Sequence, residues 1–248
     1  MFDVANPHEC MKCPLLDCRG LRVLEKSQRS YMQTIKQKER RYERGDTVFA
    51  EGEEAMHVFT VLEGVMIRYR SLEDGRRQIV NFMFPGDLLG LQAAFDEPAC
   101  HSVEALTVAR LCVFNRNDFL HLIKENPELG YDVTWLAAKE ETALEAHIVS
   151  LGQRSAKERL AFLAVWLLDR AIATGLAHDN NVLDIPVTQS QIADMLGLSL
   201  VHTNRTIRAL DREELVKWGP RELCVPDMDR ACEYAGFERS EKGKRPFI

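Results

Sequence analysis

Between Thr188 and Leu215 the chain reads TQSQIADMLGLSLVHTNRTIRALDREEL, and no other stretch narrows the possible folds as far. Thr188 with Gln191 three residues on has the form of a capping box, and Ile192, Met195 and Leu196 give a first helix its apolar stripe. Gly197 supplies the turn. Ser199 is placed to cap a second helix whose inner face is Thr203, Ile207 and Leu210. Its outer face is Val201, His202, Asn204, Arg205, Arg208 and Arg212, side chains able to meet base edges or phosphates. Val216-Lys217-Trp218, then Gly219-Pro220-Arg221, then Glu222 to Val225 read as two short strands around a tight turn, the wing of a winged helix-turn-helix. Ser199, Val201, His202, Asn204, Arg205 and Arg208 are therefore the candidate DNA-reading residues. Lys217 and Arg221 flank them as phosphate contacts.

A net charge of −6 argues against a duplex-binding protein only until it is divided along the chain. Residues 1–151 carry 18 basic and 24 acidic side chains, whereas residues 152–248 carry 14 of each. The deficit belongs to the N-terminal part, and a locally basic helix in a neutral domain can still bind DNA. There is no apolar run of membrane-spanning length, and the start MFDVANPHEC lacks the basic-then-apolar order of a signal peptide. The expected location is the cytoplasm, with no membrane partner.

From about Arg40 to Phe119 the character changes. Short β-type runs (Val58 to Leu62, Val65 to Tyr69, Gln78 to Phe82) alternate with turns at Gly45-Asp46, Gly52-Glu53, Gly64, Asp74-Gly75, Pro85-Gly86-Asp87 and Gly90. This is the punctuation of a small jelly-roll β-barrel, and no helical stretches between the strands suggest a parallel sheet. Only His57 and His101 fall in the barrel, without the close histidine spacing of a cupin metal site, so an enzyme is not expected. After the barrel, Asn126-Pro127 opens a long helix with an apolar stripe of Val133, Leu136, Ala137, Leu144, Ile148 and Leu151, interrupted by Glu140. A winged helix that reads DNA needs a second copy for the other half-site. Those seven residues are therefore the expected dimer seam, with Glu140 weakening it.

The expected architecture is α+β: a cysteine-containing segment (1–25), a sensor barrel (26–125), a dimerisation helix (126–151) and a winged helix-turn-helix domain (152–248). In this order the parts resemble the superfamily of the cyclic-AMP receptor protein and the FNR oxygen regulator. GEEAMHVFTVLEGVMIRYRSLEDGRRQIVNFMFPGDLLG is similar to the family's cyclic-nucleotide-binding-like barrel, SAKERLAFLAVWLLDRA to the start of its DNA-binding domain, and QSQIADMLGLSLVHTNRTIRAL to its helix-turn-helix. The resemblance implies a homodimer on a two-fold symmetric double-stranded DNA site, with RNA polymerase as a further partner. It does not imply cyclic AMP. Where nucleotide-binding members resemble Gly-Glu-Leu followed by an Arg-Ser pair, this chain has Gly90-Leu91-Gln92, and FDEPACHSVEAL contains no arginine to meet a buried phosphate.

Cys10, Cys13 and Cys18 make a C-x2-C-x4-C pattern, and Cys112 lies in the last barrel strand. Such soft ligands suit zinc or an iron–sulfur cluster, and the same residues can act as redox thiols. In FNR-like members three N-terminal cysteines and one at the position of Cys112 hold an oxygen-labile 4Fe–4S cluster, and the resemblance carries that ligand set to Cys10, Cys13, Cys18 and Cys112. The spacer before Cys18 is one residue shorter than the family's, and Cys100, beside His101, is the alternative fourth ligand. A barrel binding haem or an organic ligand is a further alternative. Val201 replaces the family's glutamate and Asn204 its serine, while Arg205 keeps the arginine that forks onto a guanine, so the half-site is expected to differ.

Overall fold

The computed structural model describes residues 2–95, 97–178, 180–239 and 244–248. They form two compact units: residues 1–70, 82–141 and 244–248 make the first, and residues 71–81 and 142–243 the second.

In chain order residues 2–153 contain β1 (Phe2–Asp3), α1 (Lys26–Ile35), β2 (Lys36–Tyr42), β3 (Thr47–Phe49), β4 (His57–Glu63), β5 (Met66–Ser71), β6 (Arg77–Met83), β7 (Leu88–Leu89), β8 (Ser102–Ala105), β9 (Ala109–Asn115), α2 (Asp118–Glu125) and the long α3 (Pro127–Gln153). Two antiparallel sheets face each other, ordered β1-β2-β9-β4-β7 and β3-β8-β5-β6, as the glycine-punctuated sequence leads one to expect of a jelly roll. Their inner faces bury Tyr42, Phe49, Phe59, Val61, Met66, Leu111 and Val113.

The period of two along a strand creates a second core on the outside of the first sheet. On β9, Leu111 and Val113 point into the barrel, so Cys112 and Phe114 point out of it. They meet Leu62, the N-terminal segment through Leu15, Leu21 and Leu24, helix α1 through Met32, α2 through Phe119 and Leu122, and α3 through Leu129, Val133 and Leu136. The last residues, Phe247 and Ile248, complete this outer core.

The sequence-based seam is corrected here. Val133 and Leu136 are 5% and 4% exposed within their own protomer. Each contributes about 1.5–3 kcal/mol to this core by burial and neither is free to pair across a dimer axis. Within the protomer the Glu140 carboxylate forms an ion pair with Arg68 on β5 at 2.5 Å, so it is not the uncompensated charge that the stripe suggested. Leu151 lies in the second unit, lining a small cavity with Phe162, Met195 and Leu196. Of the stripe, Ala137 and Ile148 are exposed and Leu144 is half-buried. The boundary at residue 152 is corrected too, since residues 244–248 belong to the first unit. The span 26–125 opens on a helix, α1, before its first long strand.

The second unit continues with α4 (Ala156–Thr174), β10 (Ala177–His178), β11 (Val182–Asp184), α5 (Gln189–Leu196), α6 (Leu200–Arg212), β12 (Lys217–Trp218), β13 (Glu222–Cys224) and α7 (Met228–Ala235). A Ser155–Glu158 capping box starts α4, which buries Leu160, Leu163, Leu167 and Leu168 under the DNA-binding helices. The wing strands β12 and β13 join β11 and β10 in one small sheet, ordered β10-β11-β13-β12. Among the described residues no helix is long and apolar enough to cross a membrane.

Candidate functional site

Two sites stand out, one in each unit. In the first, the segment from Cys10 to Asp17 folds as two short 3-10 helices, Cys10–Lys12 and Pro14–Asp17, with Pro14 at the start of the second. Leu15 is 1% exposed and pins the segment to the outer core. The Cys10 N–H donates to Gln33 Oε1 of α1 at 2.8 Å, and Arg29 of α1 donates to the Met11 carbonyl at 3.4 Å. As a result Cys10 and Cys13 line one cavity together with Cys112 from β9, walled by Leu15, Leu24, Met32, Leu62 and Phe114. Cys18 packs against the same core but does not line that cavity, and its thiol donates to the Pro14 carbonyl at 3.9 Å. Among the described residues no three His, Cys, Asp or Glu side chains are already close enough together to hold a metal ion.

Burial is the main influence on these thiols. It pushes Cys13 up to about 11 and raises Cys10, Cys18 and, most strongly, Cys112 above the ordinary thiol value. The chamber therefore holds neutral thiols at physiological pH, and a metal entering it displaces their protons. Two cations stand near them, Arg29 of α1 in the cavity lining and Lys36 at the start of β2. The Lys36 side chain is 5% exposed, and its ammonium donates to Glu39 at 2.6 Å and to the His8 carbonyl at 2.5 Å. Burial opposes the Lys36 charge, but the Glu39 carboxylate beside it favours that charge, and the Lys36 pKa lies above the usual lysine value. Glu39, fully buried and directly across the ladder from Cys112, also accepts from the His8 N–H at 2.8 Å and faces Arg110 at 3.6 Å.

Sequence reasoning missed this Lys36–Glu39–His8–Arg110 cluster. A lysine and a glutamate three apart on a strand give no periodic signal, and only the β2–β9 register brings them to Cys112. Cys100 is exposed in the loop before β8, with its sulfur 3.2 Å from His101 Nδ1 and outside the cavity lining. Burial pushes His101 itself down to about 4. Cys224 is half-buried in the wing and Cys232 is buried on α7.

In the second unit the Thr188 hydroxyl accepts from the Gln191 N–H at 3.1 Å while Gln191 Oε1 accepts from the Thr188 N–H at 2.9 Å. Gly197 ends α5 at φ +63°, which an L side chain adopts only with strain. Ser199 caps α6 by accepting from the His202 N–H at 3.3 Å. Helix α6 buries Thr203, Thr206, Ile207 and Leu210 against the unit, leaving Val201, His202, Arg205, Arg208 and Arg212 exposed and Asn204 half-exposed. Lys217 and Arg221 are exposed on the wing. The Asn204 amide donates to Gln189 Oε1 at 2.9 Å, so Gln189, at the start of α5, shares the reading face. Its position at a helix start was the only signal for it.

A two-helix hairpin with an exposed polar and basic second helix and a flanking wing defines a DNA-binding domain, here preceded by a jelly-roll barrel. Residues 39–126 match the model of the cyclic nucleotide-binding domain, and residues 158–233 match that of the Crp-like helix-turn-helix domain. The transcriptional activator protein FnrL of Cereibacter sphaeroides is 30% identical over 234 residues, an alignment covering 92% of each chain. The nitrogen fixation regulation protein FixK of Bradyrhizobium diazoefficiens is 34% identical over 215 residues, covering 84% of this chain and 85% of that one. Among solved structures, FixK2 from Bradyrhizobium japonicum superposes with a TM-score of 0.68 at 26% identity, covering 79% of this chain and 96% of that one. This chain belongs to the CRP/FNR superfamily of transcription regulators. It is a DNA-binding regulator, not an enzyme.

Proposed function

We propose that the regulator acts in the cytoplasm as a homodimer on two-fold symmetric DNA, and that a 4Fe–4S cluster held by Cys10, Cys13, Cys18 and Cys112 makes its DNA binding respond to oxygen or redox state. The observation carrying this reading is that Cys10 and Cys13 from the N-terminal segment and Cys112 from a barrel strand line one largely apolar cavity, with Cys18 packed on the same core. Soft thiolates in an apolar surrounding suit iron–sulfur ligation. When bound, the cluster supplies an oxygen-labile centre. The chain's own residues do the rest: Leu15 and Gln33 hold the cysteine segment on α1, and Lys36 places a positive charge beside thiolates that become anionic on metal binding. The N-terminal part of α3 packs on the same core through Leu129, Val133 and Leu136, so a change in the cysteine segment reaches the helix that carries Ile148.

The exposed face of α3, including Ala137 and Ile148, is the proposed dimer contact, and two α6 helices then read the half-sites. RNA polymerase is the proposed partner on promoter DNA. Cyclic AMP is not the proposed signal, because Arg68 and Arg70 of the barrel are paired with Glu140 and Glu51. A second reading, redox thiols or zinc in place of the cluster, is favoured by the position of Cys18 outside the cavity lining. Iron and acid-labile sulfide in anaerobically purified protein decide between them. About four of each per chain, falling to background in Cys13→Ser and Cys112→Ser but not in Cys224→Ser, supports the cluster. Zinc or metal-free protein in the wild type overturns it.

A further inference from the structure

The segment Lys244–Ile248 follows the DNA-binding domain in the chain, yet it folds into the sensor unit. Its fit is specific at every residue used. Arg245 forms a parallel bridge with Leu21: its N–H donates to the Gly20 carbonyl at 2.9 Å, and its carbonyl accepts from the Arg22 N–H at 2.8 Å. The Arg245 guanidinium pairs with Asp87 at 2.7 Å and lies 5.9 Å over the Trp135 ring of α3. Asp87 is 3% exposed and is fixed by accepting from the Phe84 N–H at 2.8 Å, so the anion that receives Arg245 is preset by its own turn.

Beside that turn, Gly86 has φ +89°, and a Cβ there would stand 2.9 Å from Leu21 Cδ1 and 3.5 Å from Phe247 Cβ. Phe247 and Ile248 are 3% and 7% exposed, and the buried Thr60 hydroxyl donates to the Ile248 carbonyl. These two residues also form one wall of the cavity lined by Cys10, Cys13 and Cys112.

We propose that residues Lys244–Ile248 dock in a built groove of their own sensor unit and wall off the buried end of the cysteine chamber, so that a metal ion, an oxidant or a thiol reagent reaches Cys112 only when this segment leaves. The groove selects its occupant chemically: an acidic pocket at Asp87 takes the arginine, one strand-like bridge sets the register, and an apolar slot takes the aromatic and aliphatic pair. This role holds for the chamber whichever cofactor occupies it, so it does not depend on the iron–sulfur reading.

The test uses the full-length, metal-free, reduced protein under chelator, with iodoacetamide as the probe and site-resolved mass spectrometry as the readout. Deleting Lys244–Ile248 is expected to speed alkylation of buried Cys112 roughly tenfold or more, because labelling of a closed site follows its open population, and to change half-buried Cys13 much less. Exposed Cys100 and wing Cys224 are expected to label at unchanged rates. Arg245→Glu, which repels Asp87 but keeps Phe247 and Ile248, is expected to shift Cys112 in the same direction, and Arg245→Lys much less. Unchanged labelling of Cys112 in the deletion overturns the proposal. So does an equal acceleration at buried Cys232, which reports general unfolding and not opening of one wall. Iron content plays no part in this readout, so failure here and failure of the cluster reading are separate results.

Discussion

Glu140→Ala is the substitution on which the structure and the helical periodicity disagree in sign. As a seam residue Glu140 weakens dimerisation, and its removal tightens the dimer. In the structure it is the partner of Arg68 at 2.5 Å, with side chains 22% and 11% exposed respectively. Exposed ion pairs contribute about 0–1 kcal/mol, whereas deleting one member of a buried pair costs about 3–5 kcal/mol because it strands the other charge. Partial exposure puts this pair between those limits, and discounting for solvent screening gives a cost of about 2 kcal/mol to the sensor unit. Native-state hydrogen exchange of β5 and of α3 up to Glu141 reads that unit alone, and protection there is expected to fall by the corresponding factor of about 30. The double variant Arg68→Met/Glu140→Leu is expected to recover much of the loss, since it leaves no stranded charge. Ile148→Glu, by contrast, is expected to leave exchange intact and abolish dimer sedimentation. Unchanged or increased protection in Glu140→Ala, or a tighter dimer, would refute the reasoning.

On DNA, Arg205→Ala is expected to cost about 1–3 kcal/mol on the cognate site and to relax preference at one guanine per half-site, whereas Arg221→Ala weakens cognate and random duplex alike and makes the salt slope shallower by about one unit. Equal losses on both duplexes for Arg205→Ala would remove α6 from the major groove. For pH, burial holds His101 at about 4 against an ordinary 6.5, so the native state keeps it neutral while the unfolded chain takes up a proton. Its contribution is therefore complete above 6.5 and is lost as pH falls from 6.5 through 4; urea unfolding of wild type against His101→Phe across that window is expected to show the wild-type curve falling more steeply, and parallel curves would count against it.

What the sequence showed and what it hid divide along a physical line. The capping box at Thr188, the glycine at 197, the cap at Ser199 and the wing turn are local signals, each needing only residues within a few positions, and the second unit was legible through them. The alternation that turns Cys112 away from the barrel is equally local. The stripe on α3 was also visible, but periodicity reports only that a helix has an apolar face and not what covers it. Val133 and Leu136 went to the outer core, and Glu140 found Arg68 more than seventy residues upstream in the chain. Helix α1 was hidden because KSQRSYMQTI is mostly polar, with Met32 as its one buried apolar anchor. The tail was hidden for a similar reason: five residues carry no period, and all their partners lie far away in sequence.

The central claim is that the four cysteines Cys10, Cys13, Cys18 and Cys112 place DNA binding under the control of oxygen. Fluorescence anisotropy on a labelled cognate duplex tests it most directly, with one anaerobic preparation measured before and after exposure to air, at fixed salt, beside Cys112→Ser. The account predicts tight specific binding before air, a loss of at least about a hundredfold afterwards as the dimer and its specific contacts are lost, and weak binding by Cys112→Ser in both conditions. Equal affinity before and after air, or full affinity in Cys112→Ser, would contradict it.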